Sequence, residues 1–180
     1  MKSFEGKVSD GLKAALAFSC LDFADLKALG VAVSGGADSV SLLCSLKNIL
    51  PEKIALKAVT VNHNIRPESE TSGDADYVES LCKTLGVPCV RYEIPRGLVE
   101  QNSLQENKGL EDSARKLRYE KFSDFMKAEN IDFLCLAHNK NDQEETVLMR
   151  ILSGSTDLRG IPLARGRFLR PLLNISRSEI

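Results

Sequence analysis

The run Ser34-Gly35-Gly36-Ala37-Asp38-Ser39 has the residue types of a phosphate site. Its two glycines let the backbone turn with positive φ and let anion oxygens approach the main chain without a Cβ in the way. Successive N–H groups then make an anion-binding nest, and the positive end of a following helix adds roughly half a unit of charge. Ser34 and Ser39 offer hydroxyl donors. Asp38 is the informative residue, because a carboxylate beside polyphosphate repels it unless a hard cation such as Mg²⁺ stands between them. The same residues could instead form a glycine turn with Asp38 or Ser39 as a helix N-cap. Neither a Walker loop, GxxxxGK[ST], nor a Rossmann GxGxxG occurs.

Three further groups could do chemistry. His63 and His138, the only histidines, each fall just past a predicted strand, at the edge where open parallel sheets bind ligands. Either could equally be a half-buried hydrogen-bonding residue. Glu111, Arg115, Arg118 and Tyr119 share one helical face, which reads as an ion pair from Glu111 to Arg115 or as guanidinium groups aimed at phosphate. Asp142 and Glu145 have the D-x-x-E spacing of a helix start with Asp142 as N-cap; alternatively Asp142 faces the nucleotide as a second metal ligand or orders an amine.

The elements that must position these residues alternate. Strands are predicted at 30–33, 54–61, within 87–94 and at 131–137. Helices with apolar residues at spacings of three and four are predicted at 39–50, at 71–85 through Tyr77, Val78, Leu81 and Leu85, at 109–129 and at 142–152, after a leading helical segment before Gly30. That rhythm gives an α/β fold: an open, mainly parallel, doubly wound sheet of about five strands with helices on both faces. The S-x-x-E run Ser176 to Glu179 is a capping box at the end of the chain, which is expected to be one domain, 1–180, truncated before further domains.

Composition narrows the class. The 180 residues are 43% hydrophobic and 27% charged, as in an ordinary globular domain. No apolar run reaches the length of a membrane span and the N-terminus lacks a signal peptide, so a cytoplasmic address is expected. The cysteines Cys20, Cys44, Cys82, Cys89 and Cys135 form no CxxC pair and read as small hydrophobes. Net charge is −1, yet from Arg150 onward six arginines meet only Asp157 and Glu179, a local +4 that could meet a phosphate backbone.

SGGADS after a hydrophobic strand resembles the SGGxDS loop of the PP-loop ATP pyrophosphatases, whose fold is of the adenine nucleotide alpha hydrolase kind. Four other stretches are similar to one branch, the tRNA(Ile)-lysidine synthetase family: Val61 to Pro67 (VNHNIRP), Glu111 to Tyr119 (EDSARKLRY), Ala137 to Thr146 (AHNKNDQEET) and Arg170 to Leu173 (RPLL). Asn64 and Ile65 depart from the usual glycine and leucine, and 150–160 matches only loosely. The resemblance implies ATP-dependent ligation of L-lysine to the C2 of the wobble cytidine of tRNA(Ile) with a CAU anticodon, through an adenylated cytidine, releasing AMP and pyrophosphate. It implies ATP and Mg²⁺ as cofactors; Ser34, Gly35, Gly36, Ala37, Asp38, Ser39 and His63 at ATP; Asp38, Arg115, His138 and Asp142 in catalysis; and Asp38 and Asp142 at the metal. The missing C-terminal domains would recognise the tRNA body, and a homodimer is allowed. Alternatives are another PP-loop enzyme such as a tRNA cytidine thiolase, disfavoured by the lack of CxxC, or a non-catalytic adenine-nucleotide-binding module.

Overall fold

The β-branched runs pair into a single sheet. The computed structural model describes residues 2–19, 23–62, 64 and 68–180, with the backbone alone for 23 and 68–72. Strands β1 (Ala28–Ala32), β2 (Ala55–Asn62), β3 (Cys89–Glu93), β4 (Phe133–Cys135), β5 (Ala164–Arg165) and β6 (Phe168–Leu169) lie in the order β3-β2-β1-β4-β6-β5. Every pairing is parallel except that of β5 with β6. The expected sheet thus gains a sixth strand through a short hairpin that turns at Gly166, where φ is +58°. Strands of two residues are too short to leave a period-two pattern.

Helices α1 (Phe4–Phe18), α2 (Ala37–Ile49), α3 (Glu68–Leu85), α4 (Leu98–Glu106), α5 (Leu110–Ala128) and α6 (Lys140–Leu152) cover the sheet. The sequence pattern did not mark α4, which buries only Val99. Among the described side chains of α3 the buried ones are Ala75, Val78 and Cys82, whereas Tyr77, expected on the apolar face, is 51% exposed.

Alternation along the strands decides which helices meet which face. Leu29, Val31, Val33 and Ala58 pack with Leu12, Leu16, Leu42, Leu46 and Val78 from α1, α2 and α3. Ala28, Val59, Leu134 and Leu136 pack on the other face with Phe122, Phe125 and Met126 of α5. Gly30 belongs to this second face, and a Cβ there would stand 2.7 Å from Leu134 Cδ1 and 3.0 Å from Phe125 Cε1. Glycine therefore lets α5 close on β1, and burying a side chain such as Phe125 contributes about 1.5–3 kcal/mol.

β1 has β2 on one side and β4 on the other, so the strand order reverses between β1 and β4. Open α/β sheets leave a crevice for ligands at such a reversal. The glycine-rich loop leaves the carboxyl end of β1 and His138 follows that of β4, which brings both to this crevice. No helix among the described residues is long and apolar enough to cross a membrane.

Candidate active site

The crevice is a cavity of about 680 Å³ lined by Ser34, Gly36, Ala37, Asp38, Ser39, Arg115, Arg118, His138, Asp142 and Arg177, with an apolar wall that includes Val59, Tyr119 and Phe122. Only one of the two loop glycines uses a positive φ. Gly35 has φ +87°, whereas Gly36 is extended, at φ −72° and ψ 154°, and is the N-cap of α2 without a side-chain bond. Neither Asp38 nor Ser39 is the cap. Ser39 is largely buried on the cavity wall; its Oγ accepts from Ser34 N at 3.1 Å and donates to Gly36 O at 2.9 Å, so its hydroxyl ties the loop together. The first N–H groups of a helix have no intrahelical acceptor, and here they open beside Gly36 and Ala37 on the cavity wall.

The start of α6 corrects a second expectation. Asn139, fully buried, is the N-cap and Asp142 is the third helical residue. Asn139 Oδ1 accepts from Asn141 N at 2.8 Å and Asp142 N at 3.2 Å, while Asn139 N donates to Asp142 Oδ2 at 2.8 Å. The remaining amide donor, Nδ2, reaches Asp38 Oδ2 at 2.9 Å. One asparagine thus holds the carboxylates at the starts of two separate helices. Gln143 turns away from the cavity and clamps Ile161, accepting from its N and donating to its O at 3.2 Å.

Asp38 and Asp142 each use Oδ2 in these bonds, and Oδ1 of each accepts no hydrogen bond among the described residues. Two hard oxygen donors on one cavity suit Mg²⁺, which binds through one or two carboxylates and completes its shell with phosphate and water. No group of three or more His, Cys, Asp or Glu able to hold a metal occurs among the described residues.

The cationic side chains come from two directions. On α5, Arg115 lies 5.3 Å from the centre of the Tyr119 ring, with Nη2 3.5 Å from the Tyr119 hydroxyl, and makes no ion pair with Glu111. Burial first, and then the charge of Arg115, push the half-buried Arg118 guanidinium below its ordinary pKa. Arg177, read in the sequence only as part of a capping box and of the basic run after Arg150, donates to Asp38 Oδ2 at 3.3 Å; its own N is held by Asn141 Oδ1 at 2.9 Å. The Ser176–Glu179 capping box is formed as expected, around a short 3-10 turn.

His138 is held neutral. Burial, reinforced by the positive charge of Arg170, lowers its pKa from 6.5 to about 4. Its Nδ1 is buried and has no hydrogen-bond partner, a state that costs free energy until some group fills it. His63 lies outside the described residues, as do Ile65, Arg66 and Pro67 of the same motif. Cys82 and Cys135 are buried, Cys44 and Cys89 are half-buried, and none of the four lines the cavity; Cys20 lies outside the described residues.

The profile of a family described as the PP-loop domain matches residues 8–180. The tRNA(Ile)-lysidine synthase of Treponema denticola is 48% identical over 153 residues, covering 83% of this chain and 33% of that protein. That of Deinococcus radiodurans is 46% identical over 151 residues, covering 83% and 24%. The chain therefore spans a third or less of the length of these curated relatives. Among solved structures, the U34-tRNA thiolase NcsA from Methanococcus maripaludis superposes with a TM-score of 0.72 at 17% identity over 96% of this chain and 60% of that one. The NH3-dependent NAD synthetase from Campylobacter jejuni gives 0.64 at 17% identity over 99% and 71%. These two likenesses carry the fold alone. Matched from residue 8 to residue 180 with the glycine loop, the parallel sheet and the strand-order reversal in place, the chain belongs to the PP-loop domain family.

Proposed function

We propose that residues 1–180 are the catalytic unit of a tRNA(Ile)-lysidine synthetase, which ligates L-lysine to the wobble cytidine of tRNA(Ile) with a CAU anticodon at the expense of ATP. The observation that carries this reading is the convergence of the glycine loop, the Asp38–Asn139–Asp142 set, neutral His138 and the Arg115–Arg118 pair on one cavity. The names of the Treponema and Deinococcus relatives select the substrate within that chemistry. The absence of any described cysteine from the cavity wall favours ligation over thiolation.

Nucleotidyl transfer needs positioning and charge neutralisation more than a protein nucleophile. The open N–H groups at Gly36 and Ala37 receive the β- and γ-phosphates. Asp38 and Asp142 would hold Mg²⁺, which supplies neutralisation of the polyphosphate charge when bound. The cytosine O2 attacks the α-phosphorus and pyrophosphate departs, with Arg115 and Arg118 facing the charge that develops. The lysine amine, after losing a proton, attacks C2 and AMP leaves with the oxygen. With a pKa of about 4, His138 does not keep a proton at pH 7, so its imidazole on the cavity wall orients a substrate group instead of storing the amine proton. A tRNA substrate and free lysine fit a cytoplasmic reaction.

The test is AMP release from ATP by this chain with tRNA(Ile) bearing CAU, with and without lysine. Release that needs both is expected; release driven by another amino acid, or without RNA, overturns the reading.

A further inference from the structure

A second cavity, of about 790 Å³, opens between α5 and the β5–β6 hairpin and shares Arg115 and Tyr119 with the first. At its base lies Arg170, only 3% exposed. Its Nη1 donates to Pro162 O at 2.9 Å, but its Nε is buried and has no partner. A buried guanidinium with an unused donor is costly unless an acceptor arrives from outside. The cavity is also strongly cationic, with Arg165 on the hairpin and Lys116 on α5 joining the two arginines against Asp112 and Glu120. Lys116 is paired with Glu106, whereas Arg165 makes no ion pair among the described residues.

We propose that this second cavity binds a backbone phosphate of the RNA substrate, at a linkage flanking the nucleotide that reacts in the first cavity. The inference rests on the functional reading above and adds to it how the strand is held. A phosphodiester has two free oxygens that can meet Arg170, which lines the cavity, and an exposed guanidinium together, and Arg is suited to that fork. The wall between the cavities is aromatic: Tyr119 packs edge-on against Phe168 at 4.9 Å and against Phe122 at 5.7 Å, with Arg115 over its ring. Such a platform lets a base stack in one cavity while its neighbouring phosphate rests in the other. The carboxylate of the amino acid is a poorer occupant, because several cations spread around a wide opening match a strand better than one small anion.

The experiment measures Kd of this chain for a CAU anticodon hairpin by fluorescence anisotropy over a KCl series, using RNA with natural linkages and RNA with neutral methylphosphonate at each linkage beside the wobble cytidine. Arg165→Gln and Arg170→Lys are compared with the parent; Arg165 is exposed, so its replacement reads the site even where the buried change disturbs folding. For the parent, one methylphosphonate is expected to lower the slope of log K against log salt by about 0.7. Each variant should show that loss with natural RNA and be insensitive to the methylphosphonate. Unchanged slopes in both variants overturn the phosphate site, as does a raised KM for lysine with RNA binding intact, which would assign the cavity to a carboxylate. If AMP release proves independent of lysine while the slopes behave as stated, the functional reading fails and the phosphate contact stands; absence of RNA binding sinks both.

Discussion

The side-chain amide of Asn139 donates to Asp38 Oδ2 at 2.9 Å, joining the first turn of α2 to the N-cap of α6 across the strand-order reversal. Because the same asparagine caps α6 and holds Asp142, the two carboxylates are set by one fully buried residue. Asn139→Ala removes a cap and leaves buried partners unpaired, at a cost of about 2 kcal/mol. A thermal melt should fall by about 4–8 °C, and ATP cleavage should fall further than stability alone explains.

Asp38→Asn keeps the shape of the side chain and removes its charge. If Asp38 holds the cation against the polyphosphate, several kcal/mol of transition-state stabilisation are lost, which is at least about 100-fold in kcat. ATP binding, read by equilibrium dialysis, should be retained. Retained cleavage would make the residue a bystander and favour a nucleotide-sensing module.

The two loop glycines should respond differently to alanine. Gly35 sits at φ +87°, where a Cβ costs about 1–2 kcal/mol, so Gly35→Ala should lower the urea midpoint. Gly36 has an ordinary φ, and a Cβ there would meet only Ser34 Oγ, at 3.6 Å. Gly36→Ala should fold normally yet raise KM for ATP, because its methyl stands on the cavity wall.

His138 makes stability depend on pH. Folded, it takes up a proton only near pH 4, whereas an unfolded imidazole does so near 6.5. Between those values the unfolded chain binds the extra proton, so the contribution is complete above pH 6.5 and is lost as pH falls towards 4. Allowing for partial solvent access, the loss is on the order of 2 kcal/mol. Urea midpoints for His138→Gln should vary less than those of the parent across this window.

Much of this architecture was legible in the sequence because it rests on local signals. Val31 and Val33 beside Gly35 marked a strand running into a turn, and Val40, Leu43, Leu46 and Leu50 repeat at helical spacing, of which Leu43 and Leu46 are buried on α2 and Leu50 is its C-cap. The hairpin at Gly166 was not legible, since two-residue strands carry no period, and α4 was missed because it buries a single side chain. Asn139 escaped notice for a different reason. Asp142 and Glu145 also had cap spacing, and the bond that makes Asn139 important reaches a residue 101 positions away. Arg170 and Arg177 stood in the sequence among six similar arginines; only tertiary packing buries one and brings the other to Asp38. The same packing spends Arg167 on the backbone oxygens of Ile131 and Asp132 and ties Arg159 to Asp157.

The most direct measurement is the mass of the wobble nucleoside after tRNA(Ile) with a CAU anticodon is incubated with this chain, ATP, Mg²⁺ and lysine. Ligation exchanges the C2 oxygen of cytidine for the nitrogen of lysine, so the expected gain is one lysine less one water, with one AMP released per modified RNA. Exchange of that oxygen for sulfur when a sulfur donor is supplied, or AMP release with the cytidine unaltered, would contradict the assignment.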